Sequence, residues 1–283
     1  MTKTRTGAHT VENSCGAAGS TRMTRLSLRT VGALGLCTVF AIGVLDASAA
    51  EPDLYSAAVA HHGRSEADAK RDRIDHPAEV LRLAALKPGM RVGDLLAGDG
   101  YYSELASYIV GPTGHVVMLN NLATDYWTNN GWEKRLAGNR LPNVEHRRVE
   151  LEHLPLPDAS LDAMLIVKVY HDFYWVDQRP NTPWPKLDPQ AVLNDIARVV
   201  KPGGVLLIVD HAAKPGTGRA DAGRLHRITD DYARRDFEKH GFQYTGRTDV
   251  LHLPDDDHSL VSFGPPILGH TDRFVLVFHK QGA

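Results

Sequence analysis

The chain has 283 residues, is 42% hydrophobic, and carries 32 Lys and Arg against 34 Asp and Glu, with a sequence pI near 6.7. That length can bury one large core and admits one or two domains. The near-neutral balance excludes the strongly basic face of a nucleic-acid binder and points to a small-molecule partner.

Residues 1–50 read as a leader. From Met23 the chain runs through Arg25 and Arg29 into an apolar stretch over 31–44 and then Asp46-Ala-Ser-Ala-Ala50, the charged, apolar and small-residue order of a secretory signal peptide. Met23 is the expected true start, with cleavage near Ala49 or Ala50. The apolar stretch is shorter than the roughly 20 residues of a membrane span, so no stable membrane insertion is expected after cleavage, although a retained anchor stays open. Cys15 and Cys37 leave with this segment, so the mature chain has neither disulfide nor thiolate. It keeps 27 Lys and Arg against 32 acids, a formal charge of -5. The expected location is periplasmic or secreted.

Residues 51–75 form a polar lead-in with a solvated helix over 65–73, and His61-His62 is expected to face solvent. The globular pattern spans 76–283. Pro77 opens a helix whose apolar face carries Val80, Leu81, Ala84 and Leu86. Lys87-Pro-Gly89 closes it, a strand follows over 90–96, then the turn Gly98-Asp99-Gly100, a helix over 101–110 and a strand over 115–119. This is a βαβ unit with turn residues at each joint. A looser segment over 123–140 holds Trp127, Trp132 and a short helix over 133–137, before a strand over 143–149. The nearly continuous apolar run over 161–169 marks a strand covered on both faces. A helix over 189–200 ends at Lys201-Pro-Gly-Gly204, and strands are expected over 205–209, 242–251 and 274–279, with a helix over 230–240. Strands alternating with helices give a doubly wound α/β sheet in one domain.

The strand-to-helix turn at Gly98-Asp99-Gly100 lets backbone approach a ligand and points free helix N–H groups at it, with Asp94 at the strand's carboxyl end. Three stretches in order, Asp94-Leu-Leu-Ala-Gly-Asp-Gly100, Leu154-Pro-Leu-Pro-Asp-Ala-Ser-Leu-Asp162 and Val200-Lys-Pro-Gly-Gly204, resemble the motif set of class I S-adenosylmethionine-dependent methyltransferases. The resemblance covers about residues 77–280. It comes closest to a group of exported methyltransferases carrying Tyr-His-Asp and Asp-His-Ala, here Tyr170-His171-Asp172 and Asp210-His211-Ala212.

That resemblance implies a Rossmann-like, mostly parallel seven-stranded sheet with an antiparallel last strand, and S-adenosylmethionine as cofactor. It implies that Ala97, Gly98, Asp99 and Gly100 line the cofactor, with Asp94 organising the loop, Asn120 near the ribose, and Glu150 and Leu151 at the adenine. Two positions depart from the family: Leu96 stands at a glycine position and Asn120 at an acidic one.

Methyl transfer asks the protein to align a nucleophile and exclude water, with a base only where the acceptor loses a proton. His171, Tyr170, Asp172 and His211 follow the fourth and fifth strands at the carboxyl edge, and His171 is the first candidate for base or acceptor positioning. Phe173, Tyr174, Trp175 and Trp184 either line an acceptor pocket or cover the sheet edge. Residues 214–219 and 225–228 read as a substrate lid or a surface loop. No tight metal-ligand spacing is present, so no metal is expected. The expected function is methyl transfer to a small molecule. The alternatives are a non-catalytic periplasmic binding protein on the same scaffold and a metal-assisted hydrolase.

Overall fold

The computed structural model describes residues 53–282; the leader, its cleavage point and both cysteines lie outside them. Two helices come first, α1 (Leu54–Val59) and α2 (Glu66–Asp75), followed by α3 (Pro77–Leu83). The chain then alternates β1 (Arg91–Leu95), α4 (Tyr101–Val110), β2 (His115–Asn120), α5 (Leu122–Trp127), α6 (Gly131–Leu136), β3 (Val144–Arg148) and β4 (Leu161–Val167). After a 3₁₀ turn at His171–Tyr174 come α7 (Pro189–Val199), β5 (Val200–His211), α8 (Ala222–Leu225), α9 (Asp230–Lys239), β6 (Phe242–Thr248) and β7 (Arg273–Lys280).

The sheet order is β3-β2-β1-β4-β5-β7-β6, with β7 antiparallel to both neighbours and the other six strands running one way. The expected seven-stranded sheet with an antiparallel last strand is the fold found. Strand order reverses between β1 and β4, so a crevice opens there beyond the strands' carboxyl ends. The apolar run of β4 is continuous because both faces are covered. Met164 and Ile166 join the core under α7 and α9, while Ala163 and Leu165 join the core under α1, α3 and α4.

Three local differences from the expected elements stand out. β5 starts at Val200 and absorbs the Lys201–Gly204 turn, because the β4 partner register shifts between Leu161 and Ala163 and Gly203 takes φ +75°. The looser segment holds an extra helix, α5, whose N-cap Asn121 accepts from the Thr124 N–H. β6 stops at Thr248.

Residues 53–75 belong to the same unit as the sheet, and α2, exposed along most of its length as expected, is anchored through one side. Its Asp68 and Asp75 are buried, Arg64 forks onto Asp72, and the Arg71 guanidinium lies 3.8 Å from the Tyr101 ring centre. His61 stacks on Tyr108 at 3.7 Å instead of standing free in solvent.

Candidate active site

The loop joining β1 to α4 adopts left-handed backbone three times: φ is +53° at Leu96, +63° at Gly98 and +86° at Gly100. Leucine at 96 therefore keeps the glycine-like conformation, at a backbone cost of about 1 kcal/mol, while its side chain is buried in the core. Gly100 is required by space as well. A Cβ there would meet Met118 Cε at 2.6 Å and Arg135 Cδ at 3.0 Å.

Asp94 is buried at the end of β1, and its carboxylate accepts from Ser103 Oγ at 2.6 Å. Burial pushes its pKa up to about 7, only partly offset by the Ser103 hydroxyl and the Arg71 charge. A small cavity of about 40 Å³ lies against it, walled by Leu96, Ala97, Tyr101, Tyr102, Val167 and Arg71. One buried carboxylate and one guanidinium thus share a single small space. That pairing suits the ammonium and carboxylate of an α-amino acid, so the residues fit the methionine end of S-adenosylmethionine.

The ribose end differs. Asn120 is fully buried; its Oδ1 accepts from the Gly98 N–H at 3.1 Å, and its Nδ2 donates to the Gly98 carbonyl at 2.8 Å and to Asp125 Oδ1 at 3.0 Å. It clamps the glycine loop onto α5 and offers no group to a ribose in this arrangement. A carboxylate at 120 could not donate to either acceptor, which explains the amide. Asp99 turns to Arg135 at 3.0 Å. Glu150 is exposed at the end of the β3 segment, and Leu151 is buried in the core.

The wide part of the crevice lies beyond β4 and β5. A cavity of about 660 Å³ is lined by Trp127, Lys168, His171, Asp172, Trp175 and His211, with His226, Arg179, Ser262 and Phe263. A second, of about 420 Å³, shares Lys168, His211, Ser262 and Phe263 with it and adds Arg71, Asp75 and Arg273. His171, Asp172 and His211 are therefore brought together as the spacing predicts. Tyr170 is not: its hydroxyl donates to Asp236 on α9 at 2.6 Å inside the core, facing away from the crevice. Of the four aromatic candidates only Trp175 lines the cavity, since Phe173 and Trp184 are buried and the Tyr174 hydroxyl also bonds Asp236.

His171 sits between two carboxylates. Its Nδ1 lies 2.7 Å from Asp210 Oδ1 and its Nε2 3.2 Å from Asp172 Oδ1. Burial disfavours the imidazolium, but Asp172 and Asp210 outweigh it and push the pKa up to about 10. The two carboxylates thus favour the imidazolium of His171, the opposite of what the expected base role asks of it. His211, with Nδ1 2.7 Å from Thr271 Oγ1, is held well below the usual histidine range by burial and by the charges of His171 and Lys168.

Several functional residues escaped the sequence reading. Lys168 is half-buried; desolvation and Arg71 lower its pKa to about 8 against the pull of Asp75. Asp75 gathers Lys168 at 3.1 Å, Arg71 at 2.7 Å and Arg273 around one carboxylate. His226 reaches the crevice from beyond β5 with φ +51°, while its neighbour Arg227 is fully buried and donates to the Leu260 and Ala212 carbonyls at 2.9 and 2.8 Å. Those bonds hold the 225–228 segment against the sheet edge, where it walls the crevice. The Arg71 and Asp75 pair on α2 did carry an i,i+4 signal, but surface helices show the same spacing.

Residues 94–208 match the family model described as a methyltransferase domain. A ubiquinone/menaquinone biosynthesis C-methyltransferase, UbiE, of Ectopseudomonas mendocina is 30% identical over 143 residues, covering 48% of this chain and 47% of that protein. An arsenite methyltransferase of Halobacterium salinarum is 35% identical over 128 residues, covering 45% and 29%. The chain thus spans about half or less of the length of the curated relatives it matches. Among solved structures, a SAM-dependent methyltransferase from Aquifex aeolicus superposes with a TM-score of 0.51 at 22% identity, over 75% of this chain and 98% of that one. The [4+2]-cyclase SpnF superposes with a TM-score of 0.51 at 16% identity, over 79% and 86%. The fold is that of the class I methyltransferases, and residues 94–208 are similar to a methyltransferase domain.

Proposed function

We propose that this protein binds S-adenosylmethionine between the β1–α4 loop and α2 and transfers its methyl group to a small molecule held in the β4–β5 crevice. The observation that carries this reading is the pairing of Asp94 and Arg71 around the cavity beside the left-handed loop of a methyltransferase-type domain. When bound, the cofactor's sulfonium would supply an activated methyl group. The chain's own part is to hold the amino-acid end at Asp94 and Arg71 and to seat an acceptor against Trp127 and Trp175. Lys168 offers the acceptor positive charge. A crevice with Lys168, Arg179 and His171 on its walls favours an acceptor bearing an anionic or phenolic oxygen. The leader pattern supports an exported protein.

Isothermal titration of the full chain with S-adenosylmethionine and its demethylated product tests the reading. Micromolar binding is expected, lost in Asp94→Asn. Asp94 is neutral below its raised pKa of about 7 and a ligand ammonium favours its ionised form, so affinity should rise with pH from about 6 to about 7.5. The absence of heat at micromolar protein and millimolar ligand would sink it. A second reading, a non-catalytic binding protein, is favoured by Leu96 and by the engaged Asn120. A different small molecule retained by the purified protein in native mass spectrometry would support it.

A further inference from the structure

One feature of the crevice is independent of methyl transfer. Asp210 Oδ1 lies 2.7 Å from His171 Nδ1 and accepts from the His211 backbone N–H at 2.7 Å, while Oδ2 of the same carboxylate accepts from the His171 backbone N–H at 2.8 Å. A buried carboxylate on one imidazole nitrogen fixes the ring and turns the other nitrogen outward, the arrangement that stands behind metal-binding histidines. Here the outward nitrogen, His171 Nε2, meets Asp172 Oδ1 at 3.2 Å, and His226 Nδ1 meets the same oxygen at 3.1 Å. One ligand atom from each of the three residues lies within 4.8 Å of the other two. For a tetrahedral ion with bonds of about 2.05 Å, neighbouring ligand atoms stand about 3.3 Å apart. The two measured edges fall close to that spacing without rearrangement.

We propose that His171 Nε2, Asp172 and His226 Nδ1 form a three-ligand site for a divalent first-row transition metal, with Asp210 orienting His171 from behind. Two imidazoles and one carboxylate suit zinc or iron and leave coordination positions free. Those positions open on the 660 Å³ cavity, where water or an anionic oxygen of a ligand would complete the shell. The ligands are preorganised. His171 is buried at the end of the β4 segment, and His226 is fixed by the Arg227 clamp and flanked by Trp175 and Phe263, with ring centres at 4.8 and 4.7 Å. The sequence shows no metal motif because His226 stands 54 residues from Asp172. The expectation of no metal rested on local spacing alone.

Zinc titration of the full chain, read by calorimetry and by Trp fluorescence, tests the site, with cobalt as a coloured replacement. Wild type should bind one equivalent more than His226→Ala. Asp210→Asn should weaken that equivalent by about 10- to 100-fold. Because His226 is only half-buried, near-UV circular dichroism of His226→Ala should match wild type. Cys15 and Cys37 are present in both proteins, so zinc they hold cancels in the difference. Equal stoichiometry and affinity in wild type and His226→Ala, or no saturable binding to either, would overturn the proposal whether or not the protein binds S-adenosylmethionine.

Discussion

The two halves of the sheet's carboxyl edge are built on opposite plans. Beyond β1 and β2 the polar groups are bonded to one another: Asn120 clamps Gly98, Asp99 pairs with Arg135, and Arg135 reaches Asp68 at 2.9 Å and Glu104. Beside Asp94 the cavity is narrow, and a separate one of about 390 Å³ lies on the far side of the Asp99–Arg135 pair, lined by Gly63, Asp68, Glu104 and Arg140. Beyond β4 and β5 the polar groups face an open crevice, with Lys168, His171, Asp172, His211 and His226 on its walls. The half that carries the recognisable motif spends its polar groups on one another, and the half that carries the reactive side chains turns them to open space. A fold signature and a reactive site are thus separate properties of one edge.

Asp75 is the hinge of that contrast, since its carboxylate holds cations from both halves together. Its pKa lies well below the usual carboxylate range, because Lys168, Arg71 and Arg273 overcome its burial. Asp75→Ala leaves those cations without their shared partner. It is expected to cost about 3–5 kcal/mol in urea unfolding, the largest effect predicted here; a loss below about 1 kcal/mol would show that the cluster is not a structural centre.

Asn120→Asp makes the tight half look more like the methyltransferase family and should nonetheless weaken it. The carboxylate loses both donated hydrogen bonds and faces Asp125 at the 3.0 Å now spanned by the amide. The expected loss is about 2–3 kcal/mol, measured by thermal unfolding. A stabilised variant with tighter cofactor binding would mean that Asn120 swings to the ribose.

Leu96→Gly sets two terms against each other. Relief of the left-handed backbone returns about 1 kcal/mol, whereas removal of a buried leucine side chain costs about 2–5 kcal/mol. Net destabilisation of about 2 kcal/mol is expected. Titration should show tighter S-adenosylmethionine binding as the loop cavity enlarges, and unchanged affinity would show that Leu96 does not restrict the loop.

Most strands and helices and the β1–α4 loop were legible because periodicity and glycine turns are local signals, whereas the antiparallel last strand came from the family resemblance. Helix α4 begins and ends at the predicted residues. The convergence of His171, Asp172 and His211 followed from their places at strand ends. Tyr170 was misread because the orientation of one side chain after a strand depends on α9, which supplies Asp236. The role of α2 was hidden for a related reason. A helix whose charged residues are buried by pairing has the composition of one bathed in water, and only the partners on α4, β7 and the β4 end distinguish them.

A crystal structure of the protein with S-adenosylhomocysteine tests most directly whether the two halves form one working crevice. The account predicts the amino-acid end between Asp94 and Arg71, with the sulfur pointing toward His171 and Lys168. A ligand seated elsewhere, or an Asp94 cavity still closed at saturating ligand, would contradict it.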